Sequence, residues 1–317
     1  MTSAEQHVPS RRWRWLRRAF TGYAFASPWL FGFFALTLGP MVLSFLLAFV
    51  KWDGISFEGI DWVGLGNYRR AWADPDVKTA LSNTAYYSFL SVPMGLCVSL
   101  ALAMLLNQKL RGIALFRTIF YMPSVIGGVA TIMMWTWVFN PDYGLLNGAL
   151  RWLLSVVAVA VPGAARLELP RWLMEEQWAK PSLILMHLWG AGGAMLIFLA
   201  ALQNVPDSLY EAADIDGAGR LRKFIHITVP QISPAIFFNL IMGIIGSFQV
   251  FAQAFLMTNG GPNKATLFYV LYLYNKAFQD FEFGYASALA WILFVIIMFF
   301  TLLVLRSSKV WVYYEGE

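Results

Sequence analysis

Six stretches of this 317-residue chain are free of Asp, Glu, Lys and Arg, at about 21–50, 82–107, 118–139, 181–203, 233–258 and 283–305. Each is long enough to cross roughly 30 Å of hydrocarbon at about 1.5 Å per helical residue. The 23 basic and 18 acidic residues all fall outside them, a segregation that a soluble fold does not need. The pattern predicts an all-α integral membrane protein with six transmembrane helices. A seventh apolar run, LLSVVAVAVPG (Leu153 to Gly163), is too short to span and ends in Pro162, so it reads as an interfacial or re-entrant helix. The chain divides into a basic N-terminal segment (1–20), a six-span body (21–305) with a long polar loop at 204–232, and a short tail (306–317).

Composition supports this reading. Charged residues make up 13% of the chain, about half the usual share in a soluble domain. Aromatics reach 17%, with 14 Trp, as expected where indole rings sit at membrane interfaces. The net charge of +5 is spread over several loops and carries topology rather than a nucleic-acid patch. With the N-terminus cytoplasmic, the inside segments hold Arg11, Arg12, Arg14, Arg17, Arg18, Lys109, Arg111, Arg117, Arg220, Arg222, Lys223, Arg306 and Lys309, more than half of the basic residues. An excess of Lys and Arg inside is the usual bias, and an even number of spans makes both termini cytoplasmic. The apolar stretch after the basic N-terminus is about twice the length of a cleavable signal core. Cys97 is the single cysteine and lies in an apolar run, which excludes an intrachain disulfide and disfavours a metal cluster.

The missing chemistry narrows the function. Ion-coupled secondary carriers usually place a carboxylate or a His relay inside the membrane; here no span holds an acid, and His187 is the one histidine in a span. A lone intramembrane His is more often a packing residue than a proton carrier. The three histidines (His7, His187, His226) are scattered, and Asp214 and Asp216 point to different sides of a short helix, which disfavours a membrane transferase. There is no G-x-x-x-x-G-K-[ST] loop for ATP. If the protein transports actively, another subunit supplies the work.

Polar groups within spans should face protein or a water-filled path rather than lipid. The fifth span offers Asn239, Gln249 and Gln253, the last two placed by their spacing of four on one face of a continuous helix. The fourth offers His187 and Trp189, the sixth Ser287 and Trp291. Each is either a pathway candidate or a hydrogen-bonding group between helices.

The loop EAADIDGAGRLRKFIHITVP (Glu211 to Pro230) is patterned beyond what a connector needs. Pro206 and Asp207-Ser208 offer a helix start, with Glu211 in its first turns near the positive end of the dipole. Gly217 and Gly219 can break that helix, RLRKFIHITV restarts one, and Pro230 and Pro234 lead into the fifth span. Two short helices with a bend are expected. By spacing alone, a solvated amphipathic connector is the favoured reading.

This loop resembles the EAA signature, E-A-A-x3-G-x9-I-x-L-P, of membrane subunits from binding-protein-dependent ABC importers. The matching residues are Glu211-Ala212-Ala213, Gly217, Ile227 and Pro230, with Val229 in place of the usual Leu. The likeness extends over roughly 20–305 and is closest to the carbohydrate-uptake branch, through VGLGNYRRAWADP (Val63 to Pro75), LSNTAYY (Leu81 to Tyr87), Arg111 to Phe139, YGLLN (Tyr143 to Asn147) and TNGGP (Thr258 to Pro262). It does not cover 150–173. The resemblance implies a type I ABC importer-like permease in a bacterial or archaeal cytoplasmic membrane, not itself an enzyme and without a cofactor of its own. Glu211, Ala212, Ala213, Asp216, Gly217 and Pro230 would engage a cytoplasmic ATPase: Glu211 pairing with a basic group, the alanines allowing close approach, Gly217 making the bend. Implied partners are two ATP-binding subunits carrying ATP and Mg, a second homologous permease, more often different than identical, an extracytoplasmic solute-binding protein, membrane lipid and a sugar. No nucleic acid is implied.

Overall fold

A computed structural model of the chain describes residues 11–55, 59–108, 110–158 and 168–313. Lys109, the first ten residues of the basic N-terminal segment, residues 159–163 of the short apolar run and the last four residues of the tail lie outside these.

The chain opens with α1 (Arg11–Gly32), a widened π turn over Phe33–Leu38, and α2 (Gly39–Leu47). Residues 20–47 form one uninterrupted apolar helix, none of whose most apolar stretch is buried within the chain. Its helix ends three residues short of the expected 50, because Val50–Lys51 (β1) turns into an antiparallel pair with Asp61–Trp62 (β2). A short α3 (Gly66–Ala73) leads to α4 (Pro75–Leu106). The second span thus begins seven residues before the expected 82. The reason is a cap: the Asp74 carboxylate accepts the Asp76 N–H at 2.9 Å, and Pro75 sits at the first helical position, where a missing N–H costs nothing. At the other end of α4, Arg117 donates Nε and Nη2 to the free carbonyl of Leu106.

The third expected span, 118–139, is two helices. α5 (Ile113–Val125) and α6 (Gly128–Val138) are bent by 99° at Ile126-Gly127. Pro123 removes one ladder hydrogen bond, and the Gly127-Gly128 pair lets the chain turn. α7 (Leu145–Ala158) contains the start of the short apolar run. α8 (Glu176–Trp189) and α9 (Gly192–Gln203) form the fourth segment, bent by 46° at Gly190-Ala191. The polar loop carries α10 (Asp207–Ile215) and α11 (Arg220–Lys223), which continues through a π turn (Phe224–Thr228) into α12 (Val229–Gln231). That rod meets α13 (Ser233–Phe248) at 67°. The fifth expected span does not run unbroken to 258: α13 stops at Phe248 and α14 (Ala252–Met257) starts anew. α15 (Tyr269–Phe278) precedes α16 (Phe283–Trp311), which extends six residues past the expected 305. Among the described residues, three helices are thus long and apolar enough to cross a membrane, and up to six if each bent pair counts as one.

Among the described residues, a small apolar cluster of Ile132, Phe139 and Met186 joins α6 to α8, and two bigger apolar cores hold the bundle. The larger packs Tyr87 of α4, Leu183 of α8, Phe248 of α13, Tyr269 and Leu271 of α15 and Leu289 of α16. The second joins Leu106 of α4, Phe198 and Leu202 of α9 and Ile232 at the α12–α13 joint. α4 therefore runs from an Asp74 end to a loop end that carries 204–232.

Candidate functional site

The helix breaks converge. A cavity of about 440 Å³ is lined by Pro123, Ile126 and Gly128 at the α5–α6 break, by His187, Trp189 and Gly190 at the α8–α9 break, and by Ala252 and Gln253 just after α13 stops. Gly95 and Ser99 of α4, Thr131 of α6 and Asn239 of α13 complete the polar wall. Among the described residues its lining has no Asp, Glu, Lys or Arg. Breaking a helix exposes main-chain groups, and deep in an apolar bundle these are tolerated where protein or a cavity satisfies them. Here Ser99 Oγ donates to the Ala191 carbonyl at 3.1 Å, a second bond to a group that also accepts the Met195 N–H at 3.0 Å, and so ties α4 to the α8–α9 break.

Small residues let the walls approach. A Cβ at Gly95 would lie 3.3 Å from His187 Nε2, so glycine gives the imidazole its space. The ring also meets Tyr87 edge-on, with centroids 6.2 Å apart. Trp189 stands edge-on to Trp135 at 5.9 Å. Asn239 donates Nδ2 to Ala235 O, one turn earlier, at 2.9 Å. The cavity offers amide, hydroxyl and imidazole groups beside an indole and aliphatic carbon, without a fixed charge. Such a surface suits a neutral hydroxylated solute by hydrogen bonding and apolar contact.

Of the pathway candidates, His187, Trp189, Asn239 and Gln253 come together here. Gln249 does not share a face with Gln253: the helix ends between them, and Gln249 lines a separate apolar groove with Ile245, Val270, Leu293 and Thr301. Trp291 instead donates Nε1 to Ser44 Oγ at 3.3 Å and meets Phe45 edge-on, joining α16 to α2. Ser287 is half-buried on α16 and does not line the cavity. Ser99 and Thr131 were legible by the same rule that singles out Asn239, each being an isolated polar residue in an apolar run.

At the loop end, α10 terminates in a left-handed glycine. Gly217 has φ +70°, its N–H bonds Asp214 O at 3.1 Å, and Ala218 N–H reaches back to Ala213 O at 2.9 Å. This paired closure satisfies the last carbonyls and makes the bend in a fixed geometry. Lys223 pairs with Asp214 across the bend, and Tyr210 Oη and Thr228 Oγ1 lie 2.9 Å apart. Glu211, Ala212 and Asp216 are exposed, Ala213 and Pro230 half-buried. Ile215 is 89% exposed and Leu221 72%, the two most exposed large apolar side chains of the loop.

The Asp74 end is held by buried asparagines. Asn67 Nδ2 donates to Ala48 O and Val50 O at 3.0 and 2.9 Å. Asn83 Nδ2 donates to Lys264 O and Leu267 O, and its Oδ1 accepts from Lys180 Nζ at 2.9 Å. Asn147, 1% exposed, donates to Pro141 O and Pro170 O and accepts from Trp172 Nε1. The neighbouring Thr84 Oγ1 accepts the first N–H of α15, that of Tyr269. Asp74 itself takes hydroxyl hydrogen bonds from Tyr272 and Tyr285 at 2.5 and 2.8 Å. Burial alone would raise its pKa; those hydroxyls and the Asp76 and Val77 N–H groups outweigh burial and hold it below the ordinary carboxylate value.

Residues 95–310 match the family model described as binding-protein-dependent transport system inner membrane component. The chain is 40% identical over 300 residues to the probable ABC transporter permease protein YesP of Bacillus subtilis (strain 168), covering 93% of each. It is 33% identical to the lactose transport system permease protein LacF of Rhizobium radiobacter, over 91% of this chain and 94% of that one. The arabinooligosaccharides transport system permease protein AraP of Bacillus subtilis is 32% identical over 90% of this chain and 88% of that one. In fold it resembles a chain of a bacterial ABC transporter involved in import of the acidic polysaccharide alginate, with a TM-score of 0.78 and 23% identity over 95% of this chain and 99% of that one. With a cavity at the helix breaks, a capped polar loop and a family match over well over half its length, this chain belongs to the binding-protein-dependent transport system inner membrane components.

Proposed function

We propose that this chain forms half of the translocation pathway of an ATP-driven importer for a neutral sugar or sugar-like solute. The observation that carries this is the meeting of three helix breaks in one uncharged cavity that carries amide, hydroxyl and imidazole groups on a mainly apolar wall. Discontinuous helices around a midplane cavity are a recurrent way to bind solute in membrane transporters. Relatives named for lactose and arabinooligosaccharide transport support the solute class.

In this reading the chain crosses the cytoplasmic membrane of a bacterium or archaeon six times, with both termini and the 204–232 loop inside. A second, homologous but different permease supplies the other half of the cavity. Two cytoplasmic subunits bind ATP and Mg and hydrolyse the nucleotide, and a solute-binding protein docks at the Asp74 end. α10 sits in a groove of one ATPase: Glu211 meets a basic group, Ala212 and Ala213 allow close approach, and Ile215 and Leu221 lose their exposure. Asp216, Gly217 and Pro230 hold the loop in shape. The link to the cavity is mechanical. Ile232 is buried in the second core, and α13 carries both the loop at one end and Asn239 about 10 Å along its axis. Closure of the ATPases, by moving α10 and the rod behind it, rocks α13 and changes the side to which the cavity opens.

The test is Glu211→Lys in the assembled complex, purified through a tag on this chain. The ATPase and second permease should co-purify, while hydrolysis stimulated by loaded binding protein is abolished. Normal stimulation would sink the coupling role, and a chain that purifies without an ATPase would sink the importer.

A further inference from the structure

Ser233, the first residue of α13, stands at the 67° joint between the polar loop and the bundle. It is buried, and its hydroxyl does two things at once. It donates to Pro230 O at 2.6 Å, across the joint, and accepts the main-chain N–H of Tyr313 at 2.8 Å. Tyr313 lies 80 residues away in sequence. It follows α16, where Val312 caps the helix on Ser308 O (2.8 Å) and then turns extended. Trp311 completes the contact, its ring edge-on to Phe237 of α13 at 6.1 Å.

We infer that Ser233 is a positioning residue for coupling, a single hydroxyl that ties the end of α16 to the hinge through which the loop moves α13. This rests on the reading of 204–232 as the ATPase-coupled loop. The hinge needs such a tie for a geometric reason. Pro230 and Pro234 have no N–H, and Ile232 adopts φ −92°, ψ 3°, so the ladder is thinned where force must pass, with Ile232 N–H to Thr228 O at 3.0 Å left to carry it. The Ser233 hydroxyl braces this stretch and adds a third element to it. Because the acceptor meets a main-chain N–H, the identity of the Tyr313 side chain is irrelevant to the tie. A merely space-filling tail would not behave so.

The experiment compares Ser233→Ala, Ser233→Thr, Tyr313→Pro and Tyr313→Ala in the complete reconstituted complex. It reads the ratio of hydrolysis with loaded binding protein to hydrolysis without it, and solute imported per ATP. Ser233→Ala and Tyr313→Pro, which remove the acceptor and the donor, should each lower both readouts by about two- to tenfold, the range that one hydrogen bond commands. The double variant should be no worse than either single one. Ser233→Thr and Tyr313→Ala should behave like the parent. A parental ratio in Tyr313→Pro, or equal loss in Tyr313→Ala, overturns the inference; should Ser233→Ala fail to assemble, Tyr313→Pro decides, since it leaves α13 intact. Glu211→Lys in the same preparation separates the two ideas. If it abolishes stimulation while the Ser233 and Tyr313 variants are parental, the tie alone falls. If all are parental, the coupling loop falls with it.

Discussion

Asn67 and Asn83 each turn one carboxamide against two main-chain carbonyls of a segment distant from their own helix, and Asn147 turns its carboxamide against one carbonyl just before its helix and one beyond it. The carboxamide suits this, with two N–H donors in fixed geometry and an oxygen left for a third partner. Asn83 is the most connected, joining α4 to the loop before α15 and to Lys180 of α8. Asn83→Ala should destabilise the chain by roughly 2–3 kcal/mol, since carbonyls that lose a buried donor retain their desolvation cost. Asn83→Asp should also destabilise, because a carboxylate would face two carbonyls, with its ion pair to Lys180 offsetting part of the loss. The check is the thermal unfolding of the solubilised chain. Equal unfolding temperatures for parent and both variants would show that the contacts contribute nothing.

Helix breaks and close crossings set the bundle's shape at the scale of elements. α9 approaches α5 so closely that a Cβ on Gly192 would fall 2.3 Å from Phe120 O and 2.9 Å from Tyr121 Cα. Both are backbone atoms, which cannot swing aside as a side chain can. The adjacent Gly193 is looser, with Ser124 Cβ at 4.0 Å its nearest neighbour. Gly192→Ala should therefore push α9 from α5, distort the break at Gly190-Ala191 and reduce both folded yield and uptake. Gly193→Ala should leave them close to parental. Yield after detergent extraction and solute uptake by vesicles decide the matter, and equal behaviour of the two variants would refute the crossing.

Across the whole molecule, one chain covers only part of its apolar surface. The helix over 20–47 buries none of its most apolar stretch, and Phe25, Phe31 and Leu36 point outward. Water would make this costly, but hydrocarbon does not, and packing there is driven by shape rather than by exclusion from solvent. The cavity is one-sided in the same sense, its wall made by α4, α6, α8 and α13 with the breaks between helices. This distribution separates two glutamines that sequence spacing pairs. Gln253→Ala should lower uptake several-fold with assembly unchanged, while Gln249→Ala, in the apolar groove, should leave uptake at the parental rate. Concentration dependence of uptake measures both, and equal losses would place the two on one path after all.

The amino-acid order by itself determined the class of protein, the apolar segments and the two-helix form of the polar loop. Those depend on local physics: charge excluded from hydrocarbon, proline without an N–H, glycine free to take φ +70° at Gly217. It also marked the family through contiguous motifs. Tertiary structure decided what those motifs touch. Asn83 and Asn147 sit in stretches that resemble the family's wording, yet their partners lie 181–184 and 6–23 residues away. Where the fifth apolar segment breaks was equally illegible, since an uncharged run satisfies the lipid whether it is one helix or two. Packing against α6 and α8 sets α14 apart from α13, puts Gln253 in the cavity and leaves Gln249 outside it. Hydrophobicity is a sum along a segment and survives any kink; a site is a meeting of particular atoms, and that meeting exists only once the helices have packed.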